Sequence, residues 1–345
     1  MRIAAAAACA LLAAACATQP RPSPPGPFPD EPRPPAAAVP LSSLPGWAGE
    51  DHAGALRAWK ATCHVAQDAG LRRACADARA LSADDSETAR RWLERTFAAE
   101  PIDAPGLLTA YFAPEYEARE APEGAFTAAV RPVPPDLVRG QPYLTREEIE
   151  SWPEPSLAWM RPEDLFFMQI QGSGYLTFPD GRRARAAYAA DNARPFTGIA
   201  KPMVEQGLLA PNQTSGETIR AWLAAHAGAE AQAVMNLNQR YIFFALQPDD
   251  GGHPAGAAGV PLPARRAVAV DPAFTRYGQP VWLDADGGTL AGAAKTYRGF
   301  AVALDTGGAI KGPARADFYM GRGDAAGLEA GRVKHPLRMW RLVAR

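Results

Sequence analysis

The chain has 345 residues, of which 47% are hydrophobic and 21% charged, and its formal net charge is −1. This length allows one large domain or two ordinary ones, and the near-neutral charge gives no electrostatic reason to expect a nucleic-acid partner. The densest basic cluster, at Arg182, Arg183 and Arg185, is interpreted as a solvated face, with contact to an anionic ligand as the alternative.

The N-terminus predicts export. Its sequence, MRIAAAAACALLAAACATQP, has one basic residue and then an apolar run that is too short to span a bilayer and suits a signal-peptide core. The run ends in LLAAAC, which resembles the lipobox of bacterial lipoproteins, so we assign residues 1–16 to a lipoprotein signal with Cys16 as the lipidated residue. The alternative is ordinary cleavage that leaves Cys16 without lipid. Because Ala17 rather than an aspartate follows, we expect the periplasmic face of the outer membrane.

Residues 17–45 are rich in proline, which favours extended polyproline II and opposes helices and sheet ladders. The sequence therefore predicts a tether here, with ordered protein starting near Gly46 or Trp47.

Two cysteines, Cys63 and Cys75, remain in the mature domain. In an exported protein they predict a disulfide, with two buried thiols on one helical stretch as the alternative. His64 lies beside Cys63, but no further histidine or cysteine stands at ligand spacing, so we expect no zinc site. We expect no other metal and no cofactor.

The predicted secondary structure changes at Pro101. Residues 53–100 carry apolar residues at helical spacing, and Ser86 with Asp84 and Asp85 supplies capping groups. After Pro101 the chain consists of short β-rich runs separated by turn residues, with a helical interruption at 214–238. Many short strands without β-α-β alternation predict a mainly β fold with N-terminal helices, built on barrels rather than a doubly wound sheet.

Polar residues within the apolar runs are the candidate binding groups, since H-E-x-x-H, Walker A and G-x-S-x-G motifs are missing from the sequence. In FFMQIQGSGYLTFPDG the glutamines alternate with apolar residues, which predicts a strand with both amides on one face. Amides, hydroxyls and aromatic rings suit a neutral sugar chain, while an ordinary hairpin with solvated glutamines is the alternative. The candidates are Gln169, Gln171, Gly172, Ser173, Tyr188, Asn192 and Phe196.

Three aspartates end or interrupt apolar runs near the C-terminus: Asp271, Asp305 and Asp317. Turn caps, a metal site, salt bridges and acid chemistry are the competing explanations. Asp317 lies in RADFYMG, where alternation points it away from its apolar neighbours. Asp305 precedes Thr-Gly-Gly, where a carboxylate would bond turn amides and stay ionised. Lys311, between them, could donate to glycan oxygens.

Long segments of the chain together resemble the membrane-bound lytic murein transglycosylase A family, whose C-terminal module carries three aspartates. The segments, which span roughly residues 100–345, are GLLTAYFAPEYEA, DLFFMQIQGSGYLTFPDGRRARAAYAADNARPFTGI, NLNQRYIFF, GVPLPARRAVAVDPAFTRYGQPVWLD and DTGGAIKGPARADFYMGRGDAAGLEAG. Two positions depart from the family pattern. A paired tyrosine is here Tyr111-Phe112, and a paired asparagine is here Asp191-Asn192.

The resemblance implies a fold. Residues 46–114 and 246–345 would form a double-psi β-barrel domain, and residues 115–245 an inserted second β-barrel domain. A glycan strand would lie in the groove between them.

The resemblance also implies an exo-acting lyase of cell-wall turnover, although the residues themselves leave open where on the strand cutting starts. It would cleave the MurNAc–GlcNAc β-1,4 bond of peptidoglycan without water and leave 1,6-anhydro-MurNAc ends. The family's catalytic aspartate matches Asp317. One carboxyl suffices, because the substrate's own C6 hydroxyl is the nucleophile.

Two rival functions stay open. One is a lipoprotein that binds peptidoglycan without cutting it. The other is a murein hydrolase with two carboxylates, in which Glu115 or Glu117 is the partner. Association with other cell-wall proteins is also left open.

Overall fold

The computed structural model describes residues 37–81, 85–153, 155–288, 290 and 292–345. The predicted signal with Cys16, the tether up to residue 36 and the capping candidate Asp84 lie outside these residues. Among the helices that the structure describes, none combines the length and the apolar character needed to cross a membrane.

The described chain is mainly β structure with three helices near its start. The strands are β1 (Val39–Pro40), β2 (Phe97–Pro101), β3 (Gly106–Ala113), β4 (Glu115–Glu117), β5 (Ala128–Val130), β6 (Ala158–Met160), β7 (Gly174–Thr177), β8 (Arg183–Asp191), β9 (Ile242–Pro248), β10 (Ala267–Val270), β11 (Pro280–Asp286), β12 (Thr296–Asp305), β13 (Arg315–Arg322) and β14 (Lys334–Ala344). The α-helices are α1 (His52–Thr62), α2 (Ala69–Ala80), α3 (Ser86–Thr96), α4 (Arg146–Glu150), α5 (Pro162–Gln171), α6 (Ala200–Glu205), α7 (Gly216–Ala225), α8 (Ala229–Asn236) and α9 (Gly323–Ala330). Single 3-10 turns lie at Leu41–Ser43, Trp47–Gly49 and Cys63–Val65.

Six strands close into a barrel, in the order β14-β11-β12-β10-β13-β3 and back to β14. The barrel takes β3 from before the inserted segment and β10 to β14 from after it. Its interior is filled by apolar side chains such as Leu108, Val268, Val281 and Leu283, each at most 2% exposed. Closure leaves these strands without a free edge, and β2 and β1 extend the sheet outward from β14.

The N-terminal helices cover one side of the barrel. Each begins at an aspartate whose side chain accepts a backbone N–H one turn on, namely Asp51, Asp68 and Asp85. Cys63, just after α1, and Cys75, in α2, form a disulfide with their Cα atoms 5.4 Å apart. The bond therefore ties the first two helices together.

The ordered domain begins earlier than the sequence predicts. Val39 and Pro40 pair with β2, and Leu41 is fully buried, so the predicted start near Gly46 is too late. The physical reason is that Leu41 and Leu44 bury apolar surface in the same core as Trp47. That gain outweighs the preference of the flanking prolines for an extended, solvated chain.

The inserted segment contains a four-stranded sheet in the order β4-β7-β8-β9, the antiparallel pair β5-β6, and helices α4 to α8. In one respect it differs from the expected second barrel, because the described pairings leave this sheet open. The helical stretch predicted at 214–238 contains α7 and α8.

The glutamine segment is a helix, so the strand predicted for it was wrong. Helix α5 has Pro162 at its first turn with Glu163 and Asp164, and it ends at Gly172, whose φ of 84° is left-handed. These are start and stop signals of a helix, and they outweigh the short alternation at its C-terminal end.

One arginine contacts both points at which the chain passes between the barrel and the inserted segment. Arg322, at the end of β13, donates to Glu115 at 3.1 Å and to both carboxylate oxygens of Asp249, at 3.0 and 2.9 Å. Its guanidinium also donates to Gly252 O at 2.8 Å and lies 3.4 Å from the ring centre of Tyr175. Because Glu115 starts β4 and Asp249 follows β9, the entry and the exit of the insert lie side by side.

The arginines of the basic cluster, at residues 182, 183 and 185, contact other side chains of the protein. Arg183 forms ion pairs with Glu115 and Asp249, at 3.2 and 3.3 Å. Arg182 pairs with Glu120, and Arg185 donates to Gln247. These contacts, most of them made by exposed arginines, favour the interpretation as a solvated face over contact with an anionic ligand.

Candidate functional site

A cavity of about 240 Å³ lies between the barrel and the inserted segment. The barrel side contributes Thr109, Tyr111, Ala269, Asp305, Arg315 and Asp317. The insert side contributes Gln169, Ile170, Gln171, Phe196, Asn238, Arg240 and Ile242. Two of the three predicted aspartates therefore face the two predicted glutamines across one cavity.

Strand register explains how the two aspartates meet. Strand β10 lies between β12 and β13, and its residue Ala269 is in register with Asp305 on one side and Asp317 on the other. Only glycine has a smaller side chain than alanine, and glycine weakens the interior of a strand. Ala269 therefore leaves space between the two carboxyl groups, and that space is the floor of the cavity.

Asp317 has one occupied and one unoccupied carboxyl oxygen. The Thr109 hydroxyl donates to Oδ1, and Oδ2 has no hydrogen-bond partner in the part of the chain that the structure describes. Burial raises the pKa of Asp317 above its usual value, and the neighbouring Asp305 acts in the same direction. The Thr109 hydrogen bond and the charge of Arg315 act against this rise. The result is a carboxyl group that keeps its proton to a higher pH than a free aspartate does, as a proton donor requires.

Asp305 has donors on both oxygens. Oδ1 accepts from the backbone N–H groups of Ala257 and Thr306, both at 2.9 Å, and Oδ2 accepts from the Tyr111 hydroxyl at 2.8 Å. The predicted bonding of turn amides is therefore present. Burial nevertheless raises the pKa of Asp305, although these donors favour the ionised form. The expectation that turn amides alone would keep this group ionised overlooked its burial.

Asp271 lies outside the cavity and holds a turn. Its carboxylate accepts from Gly312 N at 2.9 Å and Ala273 N at 3.2 Å, and the Gly312 bond lowers its pKa. Since residue 312 belongs to the loop that connects Asp305 to Asp317, Asp271 holds that loop, and it is not among the residues that line the cavity. Lys311 is exposed on the same loop and does not line the cavity.

The two glutamines line the cavity from the end of α5. Gln169 is 4% exposed, and its Oε1 has no partner among the described residues, while its amide nitrogen is 3.5 Å from Ile242 O. Gln171 Oε1 accepts from Phe112 N at 3.2 Å, so its NH₂ group stays available. A buried amide oxygen without a donor is unfavourable, and a ligand O–H or N–H would satisfy it.

The remaining predicted residues are not among those that line the cavity. Tyr188 is half exposed and donates to Asp191 Oδ2 at 2.7 Å, and Arg240 donates to the same oxygen at 2.7 Å. Asn192 is fully buried and its side chain bonds backbone groups, which makes it a structural residue. Gly172 and Ser173 follow α5 and are not among the residues that line the cavity.

The chain matches two family models. The model described as the MltA specific insert domain matches residues 107–245, and the 3D domain model matches residues 266–343. A crystal structure of a membrane-bound lytic murein transglycosylase from Agrobacterium tumefaciens is 30% identical, with a TM-score of 0.78 over 89% of this chain and 97% of that one. The chain belongs to the membrane-bound lytic murein transglycosylase A family.

Other members of the MltA family agree with this assignment. The MltA structure from Neisseria gonorrhoeae is 28% identical and has a TM-score of 0.76 over 89% of this chain and 92% of that one. The protein named membrane-bound lytic murein transglycosylase A from Vibrio cholerae is 34% identical over 68% of this chain, and the match spans 65% of its own length. The six-stranded ring is thus the double-psi β-barrel of the MltA family, and the mainly β fold class predicted from the sequence is confirmed.

Several cavity residues were not singled out from the sequence. Thr109, Arg240 and Arg315 line the cavity, and Tyr111 was noted only as a departure from the MltA pattern. A signal existed for two of them, because Thr109 and Tyr111 alternate with apolar residues in GLLTAYFA, as strand residues on one face do. No metal-binding cluster of three or more His, Cys, Asp or Glu side chains occurs among the described residues.

Proposed function

We propose that this MltA-family chain is a lytic transglycosylase that cleaves the MurNAc–GlcNAc β-1,4 bond of peptidoglycan and forms 1,6-anhydro-MurNAc ends. The observation that carries this proposal is Asp317, a carboxyl group whose pKa is raised by burial and which keeps one oxygen unoccupied in a cavity. The names of the relatives support it, as does the MltA of Escherichia coli, 28% identical, whose structure contains bound chitohexaose.

The chemistry needs one acid that later acts as a base. Asp317 donates its proton to the glycosidic oxygen while the bond from that oxygen to C1 of MurNAc breaks. The C6 hydroxyl of the same sugar attacks C1, and its proton returns to Asp317, so the enzyme ends as it began. Because nucleophile and electrophile belong to one sugar ring, holding that ring in place supplies much of the rate. The Asp305 carboxylate, beside Asp317, stabilises the positive charge that develops on the sugar.

The contacts of the other carboxylates argue against a hydrolase with two acids. Glu115 pairs with Arg322 and Arg183, and Glu117 pairs with Arg161 at 2.9 Å. Neither glutamate is among the cavity residues. Asp305 is engaged by three donors and is poorly placed to activate water.

The decisive experiment is the mass of the products released from purified murein in heavy-oxygen water. We expect fragments that carry anhydro ends and no labelled oxygen, with unchanged yield in the presence of a chelator. Reducing ends with one labelled oxygen would establish a hydrolase. The absence of any released fragment, with retained binding to murein, would establish a binding protein.

We also propose that Cys16 is lipidated and places the protein at the periplasmic face of the outer membrane. The lipobox-like LLAAAC supports this, and so do the relatives named membrane-bound. Cys16→Ala should move the protein from the membrane fraction to the soluble periplasm with its activity on isolated murein intact. Retention of this variant in the membrane fraction would contradict the anchor.

We place the inserted domain at residues 115–245. The matched insert model begins at residue 107, within β3. Strand β3 pairs with β13 and β14 and so belongs to the barrel. Limited proteolysis that cuts near residues 115 and 246 and leaves the remainder folded would support these boundaries. Cuts within the paired strands β3 and β13 would oppose them.

A further inference from the structure

Thr109, on the strand next to Asp317, donates a hydrogen bond to the carboxyl group of Asp317. Strands β3 and β13 run parallel, and Thr109 is in register with Asp317. Arg315 lies two residues before Asp317 on the same strand, so its side chain leaves the same face. The guanidinium donates to Thr109 Oγ1 at 2.8 Å and to Ala316 O at 2.6 Å. The three side chains therefore form a line, from Arg315 through Thr109 to Asp317.

The number of protons on these groups fixes the direction of the hydrogen bonds. A guanidinium has only donors, so Thr109 Oγ1 accepts from Arg315. The threonine hydroxyl has a single proton, and the one acceptor that the described residues offer it is Asp317 Oδ1. That oxygen is thus an acceptor also when Asp317 is neutral. The acid proton then resides on Oδ2, for which the described residues supply no partner. The opposite arrangement, in which a proton on Oδ1 is donated to Thr109 Oγ1, would leave the threonine proton without an acceptor among the described residues.

We infer that Thr109, oriented by Arg315, is a positioning residue that keeps the transferable proton of Asp317 on the oxygen facing the substrate. The inference rests on the proposed function, since it assigns how the acid of that reaction is prepared. Without the threonine hydroxyl, the proton can occupy either oxygen, and only one of the two forms is productive. After the first proton transfer, the same hydroxyl stabilises the Asp317 carboxylate, and the proton of the C6 hydroxyl returns to Oδ2.

Other charged groups also face Asp317 and must be considered in any test of pH dependence. Arg315 lies on its own strand, Tyr111 on β3 and Asp305 on β12. Strand β10 contributes Ala269, which does not titrate, and the inserted segment contributes Arg240. None of these residues is itself replaced in a Thr109 variant, but Thr109→Val also removes the hydrogen bond that Arg315 donates to Oγ1. A shift in the pH profile that Thr109→Ser reverses therefore reports the hydroxyl together with its Arg315 contact.

The test compares Thr109→Val, which keeps the shape and removes the hydroxyl, with Thr109→Ser, which keeps the hydroxyl. Loss of the hydrogen bond should lower kcat for murein by about 3- to 10-fold, with KM unchanged. The alkaline limb of the pH–kcat profile should move to higher pH, because a donor to the carboxylate is lost. Thr109→Ser should restore both values. Thr296→Val is the matched control, since Thr296 donates to Asp286 Oδ1 at 2.8 Å at an exposed site far from the cavity residues.

The outcomes separate this inference from the proposed function. If the wild type releases anhydro products but Thr109→Val keeps the wild-type kcat and alkaline limb, the inference is wrong and the proposed function stands. If the wild type releases reducing ends, the proposed function is wrong. A variant that loses kcat without a shifted limb, or one that Thr109→Ser does not rescue, would reduce Thr109 to a packing residue. Circular dichroism and the melting temperature of each variant show whether it is folded.

Discussion

Replacing Asp317 with asparagine tests the site most directly. The substitution keeps the size of the side chain and an oxygen that can accept from Thr109, and it places an amide where the acid proton resides. General acid catalysis contributes roughly 10²–10⁴ in rate, which corresponds to about 2.7–5.4 kcal/mol of activation free energy. We therefore expect kcat for murein to fall by roughly 10²–10⁴, while glycan binding by sedimentation with sacculi is retained.

The same substitution, which should lower kcat, should raise the stability of the folded protein at neutral pH. Burial raises the pKa of Asp317 in the folded protein, so the favourable contribution of its neutral form is complete below the unfolded-state pKa of roughly 3.9. That contribution is lost as the pH rises through the folded-state pKa. Asparagine cannot ionise. Asp317→Asn should therefore melt at a higher temperature than the wild type at neutral and alkaline pH, and the difference should vanish at acid pH.

Asp305→Asn is the matched control, because the chemical change is the same. Asp305 accepts from three donors on both oxygens, and an amide offers only one oxygen. This variant should lose rate, and at acid pH, where Asp305 of the wild type is also neutral, it should lose stability. Because burial raises the pKa of Asp305 too, the loss of stability should shrink as the pH rises. Scanning calorimetry across pH and the release of soluble fragments from murein measure both quantities. An Asp317→Asn protein that cuts murein at nearly the wild-type rate would refute the assignment of the acid, and one that melts below the wild type at neutral pH would refute the effect of burial.

Contacts described above lead to three further predictions. Arg322→Ala leaves the buried Asp249 carboxylate with Arg183 as its remaining ion-pair partner and should lower the free energy of unfolding by roughly 1–3 kcal/mol in urea titrations, with Arg322→Lys recovering only part of it; an unchanged midpoint would show that the Arg322 contacts do not stabilise the fold. Alanine at both Gln169 and Gln171 should weaken glycan binding by about 0.5–1.5 kcal/mol per lost hydrogen bond, and equal affinity in calorimetric titration would show that they do not contact the glycan. Non-reducing peptide mass spectrometry should find Cys63 linked to Cys75, and removal of this bond should cost about 3 kcal/mol of stability. Two alkylatable thiols in the native protein would contradict this.

Two of the three aspartates lie where the local sequence pattern suggested, at a common cavity, while their roles stay predictions. Asp305 and Asp317 stand at the end of one apolar run and within another, and both line the cavity. Asp271 has the same local pattern, yet it bonds backbone groups of a turn. These aspartates differ in the position of their strands in the barrel. The local alternation of polar and apolar residues carries no information about that position.

The other errors have similar physical causes. Gln169 lies in a helix because its N-terminal signals, at residues 162–164, outweigh a short alternation. Thr109 was missed because its importance arises from pairing with Asp317, 208 residues away in the sequence. Asn192 looked like a ligand for sugar, but an asparagine inside a buried turn satisfies backbone groups just as well. Long-range register is the information that a single strand's sequence lacks.

The junction at Arg322 has a consequence for how the barrel accommodates a whole domain. Since Glu115 and Asp249 both contact one guanidinium, the barrel meets the inserted segment as it would meet an ordinary surface loop whose two ends are close together. The entropic cost of closing a loop grows only with the logarithm of its length, by about 0.6 kcal/mol for each doubling. More than a hundred residues can therefore be accommodated at this one point without breaking a strand pair of the ring. The barrel carries Asp317, the proposed acid, and the inserted segment carries the opposite wall of the cavity.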